Sequence, residues 1–231
     1  MTDAGRLARA QDAEADQARV NALLTMSYAE LRAVLTGDPA TAALWVESAA
    51  RHGLPDAQLR LGRILLERGD HAGALAWFQR AAGQGNAEAM NMVGRAHELG
   101  WGIEIDPSAA AAWYRRAAEG GCAWGEYNLA NLRFDGRGVA LDLAGAVAGY
   151  RCASATGHAR AMNLLGRCLE EGWGCEPNPD EAAQWYRRSA EAGYFRAQIN
   201  HARVLAEHGL HQEADRWFEK AATAQAEPQP V

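Results

Sequence analysis

The sequence predicts an all-α fold, an α-solenoid of stacked antiparallel helical hairpins. Three observations predict it: a 36-residue period, capping residues at a fixed offset in that period, and one small and one aromatic position in each repeat. The period is plainest in residues 89–121 and 161–193, which begin AMNMVGRAHELGWG and AMNLLGRCLEEGWG. Self-similarity at this period is typical of arrays whose units bury their apolar faces against one another.

The repeats come in two lengths. Toward both ends of the chain the interval shortens to 32 residues, as between Trp45 and Trp77. The four extra residues of the long repeats fall at a Gly-Xaa-Gly turn, at 100–102, 136–138 and 172–174. Two glycines around one residue permit positive φ angles and close backbone approach. The glycines that recur every 36 residues are Gly85, Gly121, Gly157 and Gly193.

Helix-capping residues mark where helices begin. Asp and Asn accept hydrogen bonds from the first N–H groups of a helix, and Pro is tolerated at its first position. We therefore predict helix starts at Asp38-Pro39, Asp106-Pro107, Asp142 and Asn178-Pro179.

Each repeat then has a helix A with a small residue and a helix B with an aromatic residue. We expect the tryptophans of helix B to be core, because they recur at the structural period. The small residues are Gly62, Gly94, Ala130, Gly166 and Ala202, and the tryptophans are Trp45, Trp77, Trp113, Trp185 and Trp217.

The predicted organisation is a lead-in over 1–21 that is helical or frayed, one repeat domain over 22–223, and a disordered tail over 224–231. The tail has two prolines and no periodicity. The predicted repeat units are about 22–53, 54–85, 86–121, 122–157, 158–193 and 194–223.

The composition limits the function. A net charge of −6 and a pI near 5.7 argue against a nucleic-acid or anionic-membrane partner. Lys220 is the only lysine among 23 basic residues, which suits a GC-rich, bacterial genome. No apolar run resembles a secretory signal or a membrane span, so we expect a cytoplasmic protein.

The pattern LGxx…GxG…D…WYRRAAE.G resembles the Sel1-like repeat, a relative of the tetratricopeptide repeat with a longer loop between its helices. The resemblance covers about residues 38–223 and implies a right-handed superhelix that serves as a scaffold or adaptor for partner proteins or peptides. Some family members carry a cysteine pair in every repeat. This chain has Arg160 where the partner of Cys152 would stand, which argues against that branch.

The tetratricopeptide resemblance also places the face of helix A that borders the concave groove. The residue after each small one is Arg63, Arg95, Asn131, Arg167 or Arg203, an arginine ladder that suits an acidic or carboxylate-bearing peptide. Ion pairs with Glu98 or Glu170 on a solvated surface are the alternative. The remaining groove candidates are Asn91, Trp124, Tyr127, Phe134, Asn163 and Arg196.

Several aromatic residues leave two interpretations open. Trp124 and Phe134 are either groove anchors or packing between repeats. Trp101 and Trp173 lie inside Gly-Trp-Gly turns, where we expect them to fold back over the hairpin rather than to contact a partner.

No catalytic motif is present, so the sequence predicts no enzyme, no cofactor and no metal. The leading function is a protein–protein interaction scaffold. Two alternatives are a metal- or cofactor-binding protein that uses His201, His208, His211, Cys168 and Cys175, and an oligomeric structural component; the sequence leaves the oligomeric state open.

Overall fold

The structure is a computed structural model that describes residues 14–22, 25–26 and 38–226. The chain forms two compact units, Met1–Ile105 and Asp106–Val231, here called the N-terminal and the C-terminal unit. Secondary structure in the described part of the chain is helical throughout, with no strand. The predicted all-α class is therefore confirmed.

In the N-terminal unit, consecutive helices pack on one another. A helical segment at 14–22 precedes them, and its Asp16 accepts a hydrogen bond of 2.7 Å from the Ser48 hydroxyl. The first helix of the hairpin predicted for 22–53 lies mostly outside the described residues. The helices are α1 (Pro39–Arg51), α2 (Pro55–Glu67), α3 (His71–Gly83) and α4 (Ala87–Leu99).

In the C-terminal unit, each helix packs on the next, and α8 also touches α10, which is the helix A of the following repeat. The last helix extends to Ala226, three residues beyond the predicted end of the repeats, and the rest of the predicted tail lies outside the described residues. The helices are α5 (Pro107–Glu119), α6 (Ala123–Asp135), α7 (Leu143–Ala155), α8 (Ala159–Glu171), α9 (Pro179–Glu191), α10 (Phe195–Glu207) and α11 (His211–Ala226).

The predicted helix starts are confirmed by cap hydrogen bonds. Asp38, Asp106, Asp142 and Asn178 each accept from a backbone N–H in the first turn of the following helix. These bonds satisfy donors that have no partner inside the helix and explain why the capping residues share one offset.

The expectation that the helix B tryptophans form the core was wrong by one residue. Trp77 and Trp185 are half-buried, whereas the next residue, Phe78 or Tyr186, is at most 1% exposed. The half-buried tryptophans instead carry a cation from the same helix on their rings, the pairs being Trp77–Arg80, Trp113–Arg116, Trp185–Arg188 and Trp217–Lys220.

The small residue of helix A accommodates that buried ring within its own repeat. A Cβ at Gly62 would lie 2.4 Å from the Phe78 ring, and one at Gly166 would lie 2.8 Å from the Tyr186 ring. The helices of a hairpin can approach this closely because the position has no side chain.

The Gly-Xaa-Gly turns join one repeat to the preceding one. Both glycines of each turn have positive φ angles. A Cβ at Gly174 would lie 2.4 Å from the backbone of Leu143, in the first turn of α7, and Gly138 meets Pro107 of α5 in the same way. In the N-terminal unit Gly102 lies against Ala72 of α3. At the second glycine of each turn, the backbones of successive repeats are therefore in direct contact.

His158 caps α8 where Asn86 caps α4, and its Nδ1 accepts from the Ala161 N–H at 3.1 Å. Burial, with a smaller contribution from the Arg160 charge, lowers the pKa of His158 from 6.5 to about 4. Near neutral pH the imidazole is therefore uncharged, as an acceptor at Nδ1 must be.

We predict that Gly174→Ala destabilises the protein more than Gly193→Ala does. Both glycines have positive φ, which costs an alanine about 1–2 kcal/mol, but a Cβ at Gly193 would meet nothing within 4 Å. The Gly174 Cβ would also collide with the backbone of α7, which adds about 1–3 kcal/mol. Urea denaturation followed by circular dichroism checks this, and equal losses would contradict the account of the turn.

We also predict that stability falls as the pH is lowered from 7 to 5. The unfolded chain protonates its histidine near pH 6.5 while the folded His158 stays neutral until about pH 4, so stability present above pH 6.5 is lost across that window. His158 alone should lower the free energy of unfolding at pH 5 by about 2 kcal/mol. His158→Asn keeps a cap and removes the titration, so its stability should fall less; an identical pH dependence in the two proteins would be the contrary result.

Candidate functional site

The predicted groove residues of the N-terminal unit differ in accessibility. Arg63 donates to the Glu88 carboxylate at 2.8 Å, and both side chains are more than half exposed, so the pair contributes at most about 1 kcal/mol. Asn91 is buried. The Arg95 guanidinium lies 4.9 Å from the ring centre of Trp101, which confirms that this turn tryptophan folds back.

The C-terminal unit brings three predicted residues, Asn131, Phe134 and Arg167, around one recess of about 230 Å³, here called the Trp173 recess. Helix α6 supplies Asn131 and Phe134, α8 supplies Arg167, and the turn after α8 supplies Trp173. The other lining residues are Asp135, Tyr150, Leu164 and Cys168.

Aromatic contacts position the two sides of the Trp173 recess. The rings of Phe134 and Trp173 meet edge to face at 5.5 Å, and the Arg167 guanidinium lies 5.2 Å from the Trp173 ring centre. Arg167 is exposed and forms no ion pair with any described residue, while its charge is one of the smaller causes that lower the pKa of Glu170. Its N–H groups face solvent at the edge of an aromatic surface.

The Trp173 recess is polar on its α6 side. The Tyr150 hydroxyl donates to the Asn131 side-chain oxygen at 2.8 Å. Burial raises the pKa of Tyr150 well above its usual value, so the hydroxyl stays protonated and remains a donor. Asn131 is thereby held in one orientation, with its amide N–H₂ left to donate.

A second recess, of about 290 Å³, lies at the other end of α6 and α8 and is here called the Trp124 recess. Trp124 is 39% exposed, its ring meets His158 edge to face at 4.3 Å, and the Arg160 guanidinium lies 5.3 Å from its ring centre. No carboxylate lines this recess, whose remaining lining residues are Gly157, Ala159, Ala192, Gly193 and Tyr194.

Tyr127 connects the two recesses. Its ring stacks on His158 at 4.7 Å, meets Trp124 edge to face at 5.8 Å, and lies 6.3 Å from the ring of Tyr150, which lines the Trp173 recess. Trp124 and Phe134 thus both pack against the following repeat, as one of the two interpretations predicts, and each also lines a recess.

The remaining candidates in the C-terminal unit, Arg203, Arg196 and Asn163, form ion pairs, ring contacts or hydrogen bonds with other residues of the protein. Arg203 bonds both Glu170, at 2.5 Å, and Glu207, at 2.7 Å. Burial alone would raise the pKa of Glu170, but hydrogen bonds from Tyr186 and Arg203 lower it overall. Arg196 lies over Phe195 at 5.7 Å, and the buried Asn163 accepts from the Asn200 amide at 2.8 Å.

Sequence reasoning missed Tyr150, Arg160, His158 and Tyr194 as lining residues. Tyr150 keeps the tyrosine of the Trp-Tyr pair, while Gly149 stands at the tryptophan position, and the period alone does not indicate that this tyrosine borders a recess. His158 and Tyr194 are the residues that precede α8 and α10, and Arg160 lies in the first turn of α8. Nothing in the 36-residue pattern distinguishes a helix start that borders a recess from one that does not.

The His and Cys residues do not form a reactive cluster. Burial raises the pKa of the Cys168 thiol to about 11, so it is protonated at neutral pH and a poor nucleophile. His201 packs on Trp217 in the core and His208 bonds the Val204 carbonyl. Among the described residues, no three His, Cys, Asp or Glu side chains converge as a metal site would require.

No helix in the described ranges is both long and apolar enough to cross a membrane.

Comparisons with known proteins agree with this architecture. A Sel1 repeat protein from Oxalobacter formigenes is 32% identical with a TM-score of 0.76, over 81% of this chain and 80% of that one. The protective antigen c5321 of uropathogenic Escherichia coli, which displays an SLR fold, is 29% identical with a TM-score of 0.71. That match covers 85% of this chain but only 45% of c5321, so the chain spans less than half of that protein.

More distant structures share the fold alone. The immunity protein PA5088 of Pseudomonas aeruginosa is 19% identical with a TM-score of 0.58, over 88% of this chain and 86% of that one. No curated protein matches the chain significantly in sequence.

The Sel1 repeat family model matches six stretches that together cover most of the sequence. Their boundaries follow the period read from the glycines. The stretches are residues 28–54, 55–86, 87–122, 125–158, 159–194 and 197–225. The chain belongs to the Sel1 repeat family.

Proposed function

We propose that this protein is a non-catalytic, cytoplasmic interaction scaffold that binds an extended, acidic or carboxylate-bearing peptide on the helix A face, with the Trp173 recess as its anchor site. Membership of the Sel1 repeat family supports the scaffold role. All four cysteines are free, which suits a reducing compartment.

The observation that carries the proposal is Arg167. Its guanidinium lies on the Trp173 ring, forms no ion pair with a carboxylate of the described residues, and stands at the edge of a recess that has aromatic walls and is also bordered by Asp135. The Trp173 ring orients the planar guanidinium of Arg167 without accepting hydrogen bonds from its N–H groups. These N–H groups can therefore bind a carboxylate in two parallel hydrogen bonds. Asn131 offers a donor amide on the opposite side of the same recess.

The size of the recess favours a side chain over a small molecule. Small-molecule and cofactor sites usually enclose about 300–1,000 Å³. The Trp173 recess, at about 230 Å³, is smaller and open at its polar edge. We infer that it takes one large apolar side chain of the peptide, with the carboxylate of a neighbouring residue on Arg167.

The rest of the predicted face contributes more weakly. Arg63 and Arg203 already hold carboxylates of this protein, so a peptide would have to displace them. Arg95 on Trp101 repeats the Arg167–Trp173 arrangement in the N-terminal unit. The predicted groove residues are Arg63, Asn91 and Arg95 in the N-terminal unit, and Trp124, Tyr127, Asn131, Phe134, Asn163, Arg167, Arg196 and Arg203 in the C-terminal unit. Asn91 and Asn163 are buried, so a peptide would meet the other side chains.

We predict that Arg167→Gln weakens peptide binding by about 10- to 100-fold, because charge-assisted hydrogen bonds to a carboxylate contribute about 1.5–3 kcal/mol. The measurement uses phage-displayed random dodecapeptides selected on the whole protein, followed by affinities of the selected peptides for both proteins. Selected peptides should combine Asp or Glu with a large apolar residue.

Arg188→Gln is the matched control. Arg188 lies on Trp185 at 5.0 Å, so this variant removes the same charge from the same kind of pair, on helix B rather than at the recess. It should bind the selected peptides as the wild type does. Peptides that bind the Arg167→Gln protein and the wild type equally would refute the proposed site.

A further inference from the structure

We propose that the Trp124 recess is a second anchor site for the same partner segment, so that the C-terminal unit recognises two acidic and apolar anchors at a set spacing. This inference rests on the proposed function of the Trp173 recess and adds the spacing that a partner must have.

The two recesses share one arrangement of side chains, a tryptophan with an arginine on its ring. Each is walled by a tryptophan, and each has one arginine on that tryptophan ring, at 5.3 Å for Arg160 and 5.2 Å for Arg167. Neither arginine pairs with a carboxylate of the described residues, in contrast to Arg203. In each recess the arginine and the aromatic wall beside it complement an acidic residue next to a large apolar one. The recesses differ in that Asp135 also borders the Trp173 recess.

The Trp124 recess lacks any negative charge of its own. No carboxylate lines it, and the half-buried His158 is uncharged near neutral pH because burial lowers its pKa. Arg160 therefore supplies the only formal charge on its lining, and that charge is positive. At about 290 Å³ the recess has room for a large side chain.

Neighbouring rings on one side of α6 link the two recesses, and the proposal places the partner segment along this side. Tyr127 touches Trp124 at one end and Tyr150, a lining residue of the Trp173 recess, at the other. Trp124, Tyr127 and Phe134 are spaced three and seven residues apart on α6, which places them on one helix face.

The helix rise sets the spacing. Arg160 and Arg167 are seven residues apart on α8, or about 10 Å, and Trp124 and Phe134 are ten apart on α6, or about 15 Å. An extended peptide advances about 3.3 Å per residue. The two anchors of the partner should therefore lie about three to five residues apart, and anchors two residues apart cannot span the distance.

Fluorescein-labelled synthetic peptides test this on the full chain. One peptide carries a single Phe-Glu pair in a Gly-Ser background, and two others carry two Phe-Glu pairs whose phenylalanines are two or four positions apart. The latter two have the same composition and charge. We expect the four-position peptide to bind about tenfold more tightly than the single-pair peptide, because its second anchor binds at a high effective concentration. The two-position peptide should gain no more than about twofold, the statistical effect of two anchors.

Variants test whether the higher affinity of the four-position peptide comes from the Trp124 recess. Arg160→Gln and, independently, Trp124→Ala should reduce the four-position peptide to the affinity of the single-pair peptide, whereas Arg188→Gln should leave the gain intact. Equal affinities for the two-position and four-position peptides, or a gain that persists in Arg160→Gln, would overturn the inference while leaving the proposed function standing. Single-pair binding that is absent, or unchanged by Arg167→Gln, would instead refute the proposed function itself.

Discussion

The architecture depends on one close contact, the approach of the second glycine of each Gly-Xaa-Gly turn to the helix B of the preceding repeat. At Gly174 and Gly138 a Cβ would lie within 2.4 Å of backbone atoms, and the φ angles are positive. Glycine alone satisfies both conditions without strain. Because the contact joins backbone to backbone, it sets the distance between successive repeats with little freedom.

That contact also creates the candidate site. With Gly172 and Gly174 fixing the turn, Trp173 is held against Phe134 of the preceding repeat, and its ring receives Arg167 from the helix just before the turn. The turn that connects two repeats thus also supplies, through its middle residue Trp173, one wall of the recess. In the turn 136–138 both glycines again have positive φ angles, but Arg137 stands at the tryptophan position and supplies no aromatic ring.

The sequence predicted much of the fold because periodic constraints repeat themselves. Asp106, Asp142 and Asn178 cap as expected, since a cap depends on local geometry. The buried residue of the Trp-Tyr pair was harder to predict. Neighbouring residues on a helix point about 100° apart, and periodicity does not indicate which of the two faces the core. The site was less predictable still, because Arg167 and Arg203 occupy equivalent positions, yet of these two only Arg203 forms ion pairs with described carboxylates.

The central claim is that Trp173 is part of a peptide-binding surface and not only of a joint between repeats. Two-dimensional NMR of the indole N–H groups of the eight tryptophans tests it most directly, during titration with the single-pair Phe-Glu peptide. The account predicts that the Trp173 signal moves with peptide concentration while the Trp185 signal, from helix B, stays in place. Saturable binding with an unmoved Trp173 signal would contradict it.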